Sequence, residues 1–159
     1  METKAKVIFA RDTRESGPRL VKALIAALEA IGVEYKDYGV LTTPQLHYIT
    51  RCTNTKGSPY EYGEPTEAGY YKKLADAFKI AMKYRKFNGS LTVDCANGVG
   101  GPKLAELINY LPSVAEGGLE IKIVNDDVEH PDRLNSQVCL NYLSTTTTKL
   151  TQHSVEQIS

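Results

Sequence analysis

Two arginines flank an aspartate near the start of the chain, in Ala10-Arg11-Asp12-Thr13-Arg14, between a short apolar run and a Ser16-Gly17-Pro18 triplet. Guanidinium groups grip phosphate through paired, charge-assisted hydrogen bonds, and a carboxylate between them can hold one in place. Val7 to Ala10 reads as a buried strand, and Ser16 with Pro18 reads as the start of an amphipathic helix with Ser16 as its cap. Arg11, Asp12 and Arg14 therefore fall on the loop that leaves a strand, where open α/β sheets bind ligands. The residues alone also allow a plainer reading. Arg11–Asp12 and Arg14–Glu15 would then be surface ion pairs worth at most about 1 kcal/mol each.

The elements that must position this loop follow from periodicity. Leu20, Leu24, Leu28 and Ile31 space one apolar face along a helix over 17–31 that Gly32 stops, and a strand over 34–40 completes a right-handed βαβ unit. Thr42-Thr43-Pro44 leads into a short helix over 44–51, and the Gly, Pro, Ser and Tyr of 53–65 read as loop. The next helix starts at Thr66, with Tyr70, Leu74, Ala77, Phe78 and Ala81 toward the core and Lys72, Lys73, Lys79 and Lys83 toward solvent. Asn88-Gly89 breaks the chain before a strand over 90–95. Gly101-Pro102 opens a helix that runs through Leu111 to Pro112, and a strand over 119–124 completes a second βαβ unit.

Lysine plus arginine and aspartate plus glutamate number 19 each, so no global field draws in nucleic acid or an anionic membrane. Any phosphate site must be local. No apolar run reaches the ~20 residues of a membrane span, and residues 1–6 lack the apolar core of a secretory leader, which makes the cytoplasm the expected location. Cys52, Cys95 and Cys139 are far apart, with no Cys-x-x-Cys pair and no histidine at ligand spacing, and read as reduced thiols; Cys95 sits in a strand and reads as core.

Three further groups invite chemistry. His47 sits among Gln45, Tyr48 and the Thr-Thr turn, but with no carboxylate or nucleophile identifiable beside it the residue reads as a partly buried packing histidine. Ala96-Asn97-Gly98-Val99-Gly100-Gly101 mimics a dinucleotide-binding turn, yet the place of the third glycine holds Lys103. A nucleotide-binding α/β module is therefore a minor alternative. The acidic run 125–133 lacks the position-specific pattern of a calcium or magnesium loop and reads as a solvated turn.

Four blocks taken in order carry a resemblance. They are Ala10 to Arg14; Asp37-Tyr38-Gly39-Val40-Leu41-Thr42-Thr43-Pro44-Gln45-Leu46-His47-Tyr48; Tyr62-Gly63-Glu64-Pro65-Thr66-Glu67-Ala68-Gly69-Tyr70-Tyr71; and Val93-Asp94-Cys95-Ala96-Asn97-Gly98-Val99-Gly100. The chain resembles the α-D-phosphohexomutases, and within them the phosphoacetylglucosamine mutase branch, from about Val7 to Gln137. That resemblance implies an α/β fold of incomplete phosphohexomutase domains, each a mixed sheet flanked by helices. It implies that 1–86 are the later part of a first domain and 87–137 the beginning of a second, while 138–159 is a non-matching, Ser/Thr-rich tail expected to be disordered.

Members of the family interconvert hexose 6-phosphate and 1-phosphate through a phosphoserine. The activity implied here is interconversion of N-acetylglucosamine 6-phosphate and 1-phosphate for UDP-N-acetylglucosamine synthesis, with Mg²⁺ as cofactor and a hexosamine phosphate as substrate. Such chemistry needs a placed serine, a metal and phosphate clamps. The family's Thr-Ala-Ser-His-Asn-Pro and Asp-x-Asp-x-Asp-Arg loops do not occur, and Ser16, Ser58 and Ser90 are followed by Gly, Pro and Leu. No catalytic residue and no metal ligand is therefore expected in this stretch, and no cofactor is expected to bind it. What carries over is support for phosphate: Arg11, Asp12 and Arg14, and more weakly Thr42, Thr43 and Pro44. The resemblance thereby reverses the ion-pair reading. Alone, the chain is expected to be inactive and to self-associate through exposed half-domain edges; a noncatalytic truncated isoform or gene-model fragment is the alternative.

Overall fold

The computed structural model describes residues 5–83, 85–87 and 89–135. Two parallel strand pairs organise it. β1 (Lys6–Arg11), α1 (Gly17–Ala30) and β2 (Glu34–Val40) form the first unit, and α2 (Thr43–Thr55) and α3 (Glu67–Met82) pack beside it. β3 (Ser90–Asp94), α4 (Gly100–Ile108) and β4 (Glu120–Val124) form the second. Both pairs run parallel, from Lys6 opposite Glu34 and from Ser90 opposite Glu120. The α/β class stands; the mixed sheet expected from the resemblance is represented among the described residues by parallel strands alone.

The core sits where α2 covers the first strand pair. Ile49 and Cys52 are fully buried, Leu41 and Tyr48 nearly so, and Ile8, Ala10, Tyr38 and Tyr70 pack around them. Cys52 and Cys95 are both free thiols; Cys95 is half-buried rather than core, and burial pushes its thiol above the ordinary value.

Several boundaries differ from expectation. α2 runs to Thr55 rather than Arg51, because the Thr50, Thr53 and Thr55 hydroxyls donate to the carbonyls of Leu46, Ile49 and Arg51 one turn back and so fit the helix. α4 ends at Ile108 rather than Leu111, because the last amides shorten to three-residue bonds such as Tyr110 N–H to Leu107 O. Ser16 is not a cap: its backbone is already helical and its side chain makes no capping bond.

Two helix faces were also mispositioned. Of the apolar face expected on α1 only Leu28 is buried, whereas Leu20 is 59% and Ile31 71% exposed; Gly17 is the other buried residue of the helix. On α3 the buried stripe is Gly69, Tyr71 and Ala75, and Leu74, Ala77 and Ala81 are exposed. Tyr71 turns that stripe by packing its ring 5.4 Å from that of Tyr110 in the second unit. Lys73 is exposed as expected, but it is not free: its Nζ lies 3.6 Å above the Tyr62 ring and donates to the Tyr62 carbonyl.

Candidate functional site

Because β1 and β2 are parallel neighbours, the loops leaving their carboxyl ends lie side by side. The Leu41 amide donates to the Arg11 carbonyl at 3.1 Å, which ties the start of the second loop to the end of the first strand. A register shift between Phe9 and Arg11 lets the strand turn outward there. Within the first loop Asp12 Oδ1 accepts from the Arg14 amide at 3.0 Å, and Asp12 Oδ2 lies 3.2 Å from Arg14 Nη1. Asp12 thus holds Arg14. Arg11 is positioned otherwise: Nη1 donates to the Asp12 carbonyl, and the stem crosses Gly17, where a Cβ would stand 3.1 Å from Arg11 Cδ. The Arg11–Asp12 and Arg14–Glu15 pairs of the plainer reading are not formed.

Thr42 opens α2 with extended backbone. Its hydroxyl accepts from the Gln45 amide, and Gln45 Oε1 accepts from the Thr42 amide at 2.9 Å, a reciprocal capping box with Pro44 in the first turn. An α-helix N-terminus carries partial positive charge and free amides, both suited to an anion.

A cavity of about 700 Å³ opens between these parts, and Arg11, Asp12, Arg14, Thr42, Thr43 and His47 line its polar side. Leu20, Leu24, Leu41 and Leu46 line the apolar side, and Val99 reaches it from the second unit. Five of the six expected site residues therefore meet at one cavity. Pro44 does not; it borders the neighbouring groove between α2 and α3 with Tyr48 and Arg51. His47 is exposed rather than packed, one turn along α2 from Thr43, and is a wall residue that the sequence reading set aside. The hydroxyl of Thr13, also unanticipated, is buried without a hydrogen-bond partner.

The other sequence candidates are occupied internally. Asn97 in the Gly-rich turn is buried, donates to the Arg133 carbonyl and accepts from the Asp127 amide, while Gly101 approaches Asp126 so closely that a Cβ would lie 2.8 Å from its Cβ. Asp127 is bound by His130 Nδ1 at 2.7 Å and Arg133 Nη1 at 3.2 Å, and the His130 bond holds its carboxyl below the usual range. Among the described residues no group of three or more His, Cys, Asp or Glu is placed to hold a metal ion.

The chain is similar to known proteins in both sequence and fold. Residues 1–60 match the phosphoglucomutase/phosphomannomutase alpha/beta/alpha domain I family. Phosphoacetylglucosamine mutase 2 of Schizosaccharomyces pombe is 36% identical over 143 residues, 90% of this chain and 26% of that protein. The Aspergillus fumigatus N-acetylphosphoglucosamine mutase, solved with GlcNAc-6P and magnesium, superimposes with a TM-score of 0.83 at 57% identity, covering 97% of this chain and 30% of that one. An apo N-acetylglucosamine-phosphate mutase of the α-D-phosphohexomutase superfamily gives 0.73 at 39% identity, over 92% of this chain and 26% of its own. The chain belongs to the α-D-phosphohexomutase superfamily. Within it, the curated relatives it matches are phosphoacetylglucosamine mutases, of which it spans about a quarter of the length.

Proposed function

We propose that this stretch supplies the phosphate-supporting wall of a cleft in which N-acetylglucosamine 6-phosphate and 1-phosphate are interconverted through a phosphoserine, for UDP-N-acetylglucosamine synthesis. The observation that carries the reading is the convergence of Arg11, Arg14 and the α2 N-terminus on one cavity at the carboxyl ends of two parallel strands. Arg11 is the principal clamp, because its guanidinium has no carboxylate partner among the described residues. Asp12 positions Arg14, and Thr42 and Thr43 present the helix N-terminus to the same anion. Pro44 acts by shaping that turn.

Residues 1–86 form the later part of a first domain and 87–137 the beginning of a second. The serine nucleophile and the Mg²⁺ donors belong to other parts of a complete enzyme, so no chemical step is assigned to residues here. Among the described residues no helix is long and apolar enough to cross a membrane. The free thiols of Cys52 and Cys95 suit a reducing cytoplasm. Both strands of each pair are edges among the described residues, which favours self-association of the isolated chain; a light-scattering mass of 17.6 kDa would count against it. The reaction is tested by phosphorus NMR with N-acetylglucosamine 6-phosphate and Mg²⁺. A longer protein containing this stretch is expected to produce the 1-phosphate and the 159-residue chain is not; turnover by the chain alone would overturn the division of roles.

A further inference from the structure

The two strand pairs share no hydrogen bonds, yet the cavity needs both, since Val99 of the second unit forms part of its wall. A polar chain also joins the two units. Lys103 lies four residues beyond Val99, one turn along α4 on the same side. Its Nζ lies 2.7 Å from Glu67 Oε2 on α3, with only 20% of the lysine side chain exposed. The same Glu67 oxygen accepts from Tyr71 OH at 3.2 Å and from Gln45 Nε2 at 3.3 Å, and Gln45 Nε2 also reaches Tyr71 OH at 2.9 Å. Gln45, 1% exposed, then turns its other end to the Thr42 amide and hydroxyl, both at 2.9 Å. An unbroken set of contacts thus runs from α4 to the turn that presents Thr42 and Thr43.

We propose that the Lys103–Glu67 pair is a latch that fixes the second unit against the Arg11 loop, and that Tyr71 and Gln45 are positioning residues carrying its constraint to the Thr42 turn. α4 suits the task because it cannot slide within its own unit: the close approach of Gly101 to Asp126 pins its first turn to the end of β4. The Tyr71–Tyr110 ring contact adds apolar attraction across the units, and the ion pair adds a charge-assisted bond between two defined atoms. Lys103 stands where a dinucleotide turn would carry its third glycine, so the residue that disqualifies one function is given another.

The test has a readout that does not depend on any ligand. Amide residual dipolar couplings of the 159-residue chain are expected to fit one alignment tensor across both units. Lys103→Met, which keeps the aliphatic stem, is expected to require two tensors. Lys103→Arg is expected to restore one, and Lys72→Met, which breaks the exposed Lys72–Asp76 pair on α3, to leave one. Glu67→Gln serves as the second variant and is expected to behave as Lys103→Met does. A single tensor retained in both Lys103→Met and Glu67→Gln overturns the latch. Its consequence for the cleft rests on the proposed phosphate site: Lys103→Met should weaken N-acetylglucosamine 6-phosphate binding about three- to tenfold. The couplings decide the latch by themselves, and the phosphate reading stands or falls separately on Arg11→Ala.

Discussion

Replacing Gln45 by methionine isolates the contribution of a buried amide that joins the site to its support. Methionine fills a similar volume, so no cavity opens and the loss is polar. Two bonds end at the Thr42 turn, where the half-buried amide of Thr42 and its hydroxyl lose an acceptor at 2.9 Å. Two more end at Tyr71 and Glu67, but Tyr71 OH still donates to Glu67, and Glu67 still binds Lys103. The stranded group is thus mainly the Thr42 amide, at about 1–2 kcal/mol for an unmet buried donor, with about 1 kcal/mol more for the weakened bonds around Tyr71. The expected cost is about 2–3 kcal/mol. Equilibrium urea unfolding, followed by far-ultraviolet circular dichroism and by the fluorescence of the ten tyrosines, should show the midpoint falling by about 1 M. A loss under about 0.5 kcal/mol would mean that solvent reaches these groups, and it would refute the reasoning that makes Gln45 a buried link.

Other perturbations follow from the same geometry. Gly69→Ala gains about 1 kcal/mol of helix propensity, but its Cβ would lie 2.4 Å from the Glu64 carbonyl, so overpacking wins and thermal denaturation should report a net loss of about 1–2 kcal/mol. Thr13→Val removes a buried hydroxyl that has no partner, and urea unfolding should find it neutral or stabilising by up to about 1 kcal/mol. Burial first, then the Glu67 carboxylate, pushes Tyr71 from 10.0 up to about 12. Its neutral form is therefore favoured by folding: the contribution is complete below pH 10 and is lost as pH rises toward 12. Stability should fall by about 2–3 kcal/mol across that window, and a Tyr71→Phe chain whose alkaline limb is as steep as the wild type's would contradict the assignment.

The strands and both βαβ units were legible because each is a local pattern: short β-rich runs bounded by glycine, and a Gly-rich turn before α4. The Arg11 loop was legible for the same reason, since a strand end followed by a helix start fixes where the intervening residues lie. What escaped was decided by partners distant in sequence. The buried stripe of α3 follows Tyr71 because Tyr110 lies against it, 39 positions away, and no periodicity within α3 encodes that. Lys103 was noticed only as a missing glycine; its ion pair with Glu67 spans 36 positions. His47 was read as packing because polar surroundings in sequence say nothing about whether a cavity opens beside them. The capping role assigned to Ser16 gave way because Gly17 donates to the Arg14 carbonyl, closing the turn through backbone alone.

The central claim is that Arg11 clamps a sugar phosphate at the joined ends of β1 and β2. The most direct measurement is a titration of N-acetylglucosamine 6-phosphate with the chain, followed by the phosphorus resonance, beside the same titration with Arg11→Ala. The account predicts a saturable shift with the wild type and binding weakened at least about tenfold in the variant, the loss of one charge-assisted pair. A resonance that does not move, or one that moves identically with both chains, would contradict it.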